Sequence, residues 1–295
     1  MEPKKVSIIL CSYNHSSFVK EALDSIKNQS YLNIELIIVD DFSKDNSTEL
    51  IDLWLNEHNY YAKTFFFKAN NGLSFCLNFV LNSISGDFVK IISADDKLHY
   101  DSIKRCVEDL EFKGPKFGLV FTNSWTILSD SKITENIFDH SAFQNFSKEE
   151  FRKLLIQDNR IPALTVLMRK EALIETGKYD ETFLVEDYSR WLRINEKYWI
   201  SYIPDKLSYY RLHENNVSGE RDYIVKEEIL MLKIIHDKFQ LNRKYINSEI
   251  KKRIRYNQIS DRLFVCYSNY IHRNRFLVII LMLKKIINNK FKYQT

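Results

Sequence analysis

Two hydrophobic rhythms alternate along the first 125 residues. Short unbroken apolar runs occur at "VSIILCSY" (6–13), "IELIIV" (34–39), "TFFF" (64–67), "FVKII" (88–92) and "GLVFTN" (118–123). Runs of that length, apolar on successive positions, predict strands covered on both faces. Between them the apolar positions recur at helical spacing. Phe18, Val19, Ala22, Leu23 and Ile26 mark one helix, with Ser16 and Ser17 placed to cap it. Leu50, Ile51, Trp54 and Leu55 mark a second, opened by Asn46 with Glu49 three positions on, the spacing of a capping box. Residues 73–84 and about 101–112 predict two more. Strand–helix alternation with short loops is the pattern of a doubly wound, mostly parallel α/β sheet. After residue 125 the rhythm breaks. A strand is expected at "ALTVLM" (163–168), a helix from near Glu186, and strands at 199–203 and 208–212. From Glu220 the pattern is helical, so a boundary is placed between a region 1–219 and a helical region 220–295.

The chain of 295 residues is 45% hydrophobic and 28% charged, enough for a large core and against disorder. Its four cysteines, Cys11, Cys76, Cys106 and Cys266, are scattered with no C-x-x-C pair, so no zinc site or disulfide framework is indicated. The N-terminus has too short an apolar run for a signal peptide, and no stretch reaches the roughly 18 apolar residues that span a bilayer. A cytoplasmic, reducing location is expected. Charge changes the picture at one end. Residues 241–295 hold 13 Lys/Arg against 2 Asp/Glu, leaving 30 against 37 in the remainder. Such a basic end predicts contact with an anionic surface. In "RNRFLVIILMLKKIINNKFK" (273–292) an apolar core lies between basic flanks. It can pack on the domain as a terminal helix or lie in the membrane interface at the inner face of the cell membrane. The basic residues interleave with Ile and Leu, and no nucleic-acid-binding motif is present, so nucleic acid is not an expected partner.

The chemistry collects at strand ends. In an open parallel sheet, ligands bind beyond the carboxyl ends of the strands. Here those ends read "CSYN", then Asp40 and Asp41, then Asp95 and Asp96. If the second and fourth strands flank the first, all three line one crevice. Two acidic pairs there call for a cation or for N–H and O–H donors. A hard divalent ion held by one or two carboxylates and completed by substrate phosphate oxygens satisfies both pairs. No G-x-x-x-x-G-K-[ST] or G-x-G-x-x-G follows a strand, so phosphate would be neutralised by the metal rather than by a glycine-rich loop. Asp45, Asn46 and Ser47 read as turn and cap residues. Asp40 could be another.

"VSIILCSYN…ALDSIKNQSYLNIELIIVDDFSKDNST" resembles the opening of the family 2 glycosyltransferases of GT-A fold. "ISADD" resembles their metal-binding motif, "VEDYSRWLRI" (185–194) their catalytic segment, and "YRLHENNVS" (210–218) their Y-R-x-H-x-x-N-x-S segment. The likeness spans roughly residues 4–215. It implies a metal-dependent, inverting transfer of a sugar from a nucleotide donor, most simply a UDP-sugar, to a glycan or lipid-linked glycan of a bacterial surface polysaccharide such as O-antigen. By the resemblance Ser12 and Tyr13 flank the base, Asp41 accepts from it, Asp95 meets the ribose or sugar, Asp96 and His213 hold Mn²⁺ or Mg²⁺, and Asp187 is the general base. Cys11, Leu77 and Ser93 stand where the family often has Pro, Arg and Asp; loss of that Arg bears on donor identity. Three rival readings stand beside this one. A silent sugar-nucleotide-binding protein would keep Asp41 without turnover, a phosphoreceiver-like domain leaves "VEDYSRWLRI" unexplained, and a nucleic-acid binder lacks a motif.

Overall fold

The computed structural model describes residues 3–128, 132–135, 147–213, 222–256 and 258–271. Strands β1 (Val6–Ser12), β2 (Ile34–Asp40), β3 (Ala62–Phe66) and β4 (Phe88–Ser93) alternate with helices α1 (Val19–Lys27), α2 (Ser47–Glu57) and α3 (Leu73–Val80), the last continued by a 3₁₀ turn, Leu81–Ser83. A short β5 (Lys97–Leu98) and α4 (Ser102–Lys113) lead to β6 (Phe117–Ile127) and β7 (Ile133–Glu135). Helix α5 (Lys148–Gln157), β8 (Leu167–Arg169), α6 (Lys170–Glu175), α7 (Glu186–Lys197) and β9 (Trp199–Arg211) follow. Helices α8 (Asp222–His236), α9 (Arg243–Arg255) and α10 (Asp261–Tyr270) complete the described chain.

One sheet carries the order β3-β2-β1-β4-β8-β6-β9-β5, with β7 on β6. The first four strands are parallel, as the apolar runs require, and β2 and β4 flank β1. Their registers bring Ser12 opposite Asp40 and Cys11 opposite Ser93, so three polar strand ends meet at one edge. Beyond β4 the sheet turns mixed: β8 is antiparallel to both β4 and β6, whereas β9 runs parallel to β6. The two strands expected at 199–203 and 208–212 are one long strand, whose register against β6 slips near Asn123, where Pro204 interrupts the ladder. The strand expected at 163–168 is a 3₁₀ turn, Ala163–Thr165, before β8. There the carbonyl of Leu164 accepts a 2.6 Å bond from the fully buried Lys90 of β4, and burial lowers that ammonium to about 8.

Two expected caps are absent. Neither Ser16 nor Ser17 caps α1, which follows Phe18, and Asn46 makes no side-chain bond at α2. Asp45 takes over, accepting from Ser47 N (3.0 Å) and Ser16 N (3.0 Å). A capping box does form at α5, between Ser147 and Glu150, a helix the hydrophobic pattern had left unread. The C-terminal helices join the main core. One apolar cluster contains Ile9 and Val89 of the sheet, Trp191 and Ile194 of α7, and Leu230, Ile250 and Leu263 of α8–α10. Among the described residues no helix is long and apolar enough to cross a membrane, and the segment 273–292 lies outside them.

Candidate active site

The loops after β1 and β2 are stitched together by the polar run "FSKDNS". Asp40, almost fully buried, accepts from Ser43 N (2.8 Å) and Ser43 Oγ (2.6 Å). Ser43 Oγ in turn accepts from Asn14 N (2.8 Å), and Asn14 Oδ1 from Lys44 N (2.7 Å). Asn14 and Phe42 sit at φ 56° and 69°, so backbone strain lies on both lips of the crevice. Asp40 is thus a turn residue. Asp41 is different: its two oxygens accept from Asn71 N and Gly72 N, each at 2.8 Å, and so hold the loop that starts α3. Gly72, at φ 88°, supplies the left-handed backbone that aims those amides. A carboxylate oxygen can accept more than one bond, so Asp41 retains acceptor capacity toward a ligand. Beside it, Ser12 is buried with its Oγ unpartnered, while the Tyr13 ring is 42% exposed.

The second acidic pair divides its contacts. Asp95 Oδ2 lies 3.0 Å from His213 Nε2 and 3.6 Å from His15 Nε2, while its buried Oδ1 has no partner. Burial pushes this carboxyl up, but His15 and bonds from Ser93 and His213 outweigh it and hold it below the ordinary range. Asp96 accepts from Arg211 N at 2.9 Å, and burial together with the Asp95 charge drives it well upward. Arg211 also donates Nε to the Asp95 carbonyl (2.8 Å) and a guanidinium nitrogen to Glu21 (2.9 Å), over the Phe18 ring. His213 packs on that ring at 5.0 Å. His213 therefore sits on Asp95, the neighbour of Asp96.

Asp187 opens α7, where an acidic first turn suits the helix dipole. Tyr188 N donates to its Oδ1 at 2.5 Å. Tyr188 is fully buried and donates its hydroxyl to Leu155 O, which with Trp191, Leu192 and Ile194 anchors the helix. Burial raises Asp187 to about 6; burial and then the Asp187 charge raise Glu186 to about 8. Cys11 at the end of β1 and Val185 at the head of α7 pack on one apolar cluster with Ile9, Tyr179 and Tyr188, which sets the start of α7 beside the end of β1. A C-terminal helix fixes the approach: Glu228 of α8 accepts from Leu184 N at 2.6 Å.

Glu186 gives a stability test. Its proton is released near 4.5 in the unfolded chain and near 8 in the folded one. Between those values the unfolded state binds fewer protons, so raising pH destabilises the fold. Glu186→Gln is expected to flatten the fall in Tm from pH 5 to 8.5 by several degrees. Differential scanning fluorimetry across that range measures it, and an unchanged slope would show that Glu186 is solvated.

Three site residues escaped sequence reading. His15 follows "CSYN" directly, Arg211 lies inside the Y-R-x-H segment, and Glu228 carries no local signal.

Comparison with known proteins gives the class. The chain matches Glycosyl transferase family 2 over residues 7–177. It belongs to that family and is a glycosyltransferase. It is 29% identical over 205 residues to the poly-beta-1,6-N-acetyl-D-glucosamine synthase of Staphylococcus epidermidis, covering 68% of this chain and 48% of that one. The chain therefore spans about half the length of that relative. By fold it resembles S. aureus TarS 1–349 in complex with UDP-GlcNAc, with a TM-score of 0.67, 18% identity, and 96% and 89% of the two chains covered. It also resembles the mannosyltransferase PcManGT of Pyrobaculum calidifontis in complex with GDP-Man and Mn²⁺, at TM-score 0.62 and 14% identity over 99% and 88% of the two chains. The GT-A architecture expected from the motifs is the architecture found.

Proposed function

We propose that the chain transfers a sugar, with inversion, from a UDP-sugar to a glycan or lipid-linked glycan acceptor in surface-polysaccharide synthesis at the cytoplasmic face of the membrane. The observation that carries this reading is the meeting of the Ser12, Asp41 and Asp95–Asp96 strand ends at one sheet edge with the Glu186–Asp187 helix start beside it. The UDP-GlcNAc complex of TarS and the polysaccharide-forming relative support donor and setting.

Ser12 and Tyr13 line the base side, and Asp41 accepts from the base N–H with the capacity its loop bonds leave. Asp95, held by two imidazoles, faces the ribose or sugar. The Asp187 carboxylate takes the acceptor hydroxyl's proton as that oxygen bonds to the anomeric carbon opposite the departing nucleoside diphosphate. A value near 6 leaves Asp187 ionised at neutral pH yet basic enough to accept a proton. Glu186, raised further, stays protonated there and adds no competing charge.

The residues fit a hard divalent cation: a buried carboxylate oxygen, Asp95 Oδ1, lacks a partner next to Asp96 and His213. Among the described residues no three such ligands already converge, so substrate oxygens and water would complete a shell held by Asp96 and His213. Bound there, Mn²⁺ or Mg²⁺ would neutralise the diphosphate.

A thermal-shift panel of UDP, GDP, dTDP, CDP and ADP, each with Mn²⁺ or EDTA, tests the reading. UDP at about 100 times its dissociation constant is expected to stabilise the fold by about 2.7 kcal/mol. The shift should vanish in EDTA and in Asp96→Asn. No shift with any diphosphate overturns the donor site; a shift without turnover on any acceptor identifies a silent binder.

A further inference from the structure

A second site lies in the C-terminal helices, on residues the transfer reaction does not use. Helix α9 starts at a cavity of about 650 Å³ between it and α5. Lys153 and Gln157 of α5 line one side, and Asn242, Arg243, Lys244 and Tyr245 the other; none of the lining residues is acidic. No side chain of the N-cap closes the helix start: Asp237 accepts from the N-cap amide, Asn242 N (3.1 Å), and Gln240 O from Arg243 N (3.2 Å), which leaves the first-turn amides of Lys244 and Tyr245. The N-terminal end of a 13-residue helix thus faces a cavity that Lys153, Arg243 and Lys244 line.

Asn242 supplies an independent sign of a ligand. It is 2% exposed, its Oδ1 accepts from Gln157 Nε2 at 2.8 Å, and its buried Nδ2 has no acceptor. A buried amide donor without a partner is costly unless something completes it. The nearby carboxylate cannot: Asp237 is behind the wall, taking Asn242 N (3.1 Å) and the Tyr270 hydroxyl (2.6 Å). Lys233, also buried, backs the same wall, donating to Gln157 O (2.8 Å) and the Tyr245 hydroxyl (2.9 Å).

We infer that this cavity binds a phosphate group. An anion with several acceptor oxygens can take the Asn242 amide, the helix-start N–H groups and the lysine and arginine heads together. A water molecule occupies about 30 Å³, so the cavity also accommodates part of whatever carries the phosphate. That carrier is either an anionic lipid headgroup or a soluble phosphate compound. The site is independent of the proposed transfer chemistry.

The test compares the full-length wild type with Lys153→Gln/Lys244→Gln and with a control of equal charge change, Lys251→Gln/Lys252→Gln, exposed on α9. Inorganic phosphate titrated at constant ionic strength, followed by thermal shift, is expected to bind wild type and control alike and the cavity variant at least about tenfold more weakly. Equal phosphate response in both variants, or none in wild type, overturns the site. Sedimentation with phosphatidylglycerol and with phosphatidylcholine vesicles separates the sources. Selective loss of phosphatidylglycerol binding in the cavity variant assigns a lipid headgroup; loss of the phosphate response with unchanged vesicle binding assigns a soluble phosphate compound. UDP–Mn²⁺ stabilisation, measured in the same proteins, should stay unchanged, so failure here is distinct from failure of the donor site.

Discussion

Asp187→Asn is expected to lower turnover by about 10²–10⁴-fold while nucleotide affinity stays within about twofold. The asparagine oxygen can still accept from Tyr188 N, so the helix start is retained. It also removes a charge that burial disfavours, so the fold should not weaken. What is lost is the proton acceptor. In the wild type, turnover should rise as pH climbs through about 6, where Asp187 ionises, and then level off. Steady-state kinetics from pH 5 to 8, with UDP titrations of both proteins, measure both effects. Turnover at wild-type level in the variant would remove Asp187 from the chemistry.

Asp41→Ala acts on binding and fold together. Two part-buried loop amides, Asn71 N and Gly72 N, lose their charged acceptor, and hydrogen bonds to a charged group contribute about 1.5–3 kcal/mol. The start of α3 should loosen, and affinity for a uridine nucleotide should fall by at least about tenfold as the base loses its acceptor. Urea unfolding and UDP titration separate the contributions. If stability falls while the folded variant binds UDP normally, Asp41 is a loop cap and the base contact is excluded. Asp41→Asn refines the comparison, because it keeps one acceptor oxygen and sets an NH₂ against an amide N–H.

The same short polar run shows where sequence reading works and where it stops. "DDFSKDNS" announced a turn and a helix start, and both occur. The capping box expected at Asn46 does not form; Asp45, read with it as a turn and cap residue, meets the amides, because the loop after β1 folds back onto it through Ser16 N. Helix α5 carries local signals of its own, the Ser147–Glu150 capping box and Phe151, Leu155 and Ile156 on one face, so its absence from the sequence reading has no physical cause in the pattern. Lys90 sits inside an apolar run, and only the approach of the Leu164 carbonyl explains how an ammonium is tolerated there.

Local pattern alone determined the alternation of strands and helices, the acidic strand ends and the carboxylates at the head of α7. These follow from periodicity and residue type within windows of a few turns. Tertiary structure decided the partnerships: His213 on Asp95 and Arg211 on Asp96 span separations of 118 and 115 residues, and Leu184 meets Glu228 across 44. Such pairs depend on strand order and on how the C-terminal helices pack. Neither is encoded in spacing along the chain, because a buried charge is satisfied by whatever the fold brings next to it.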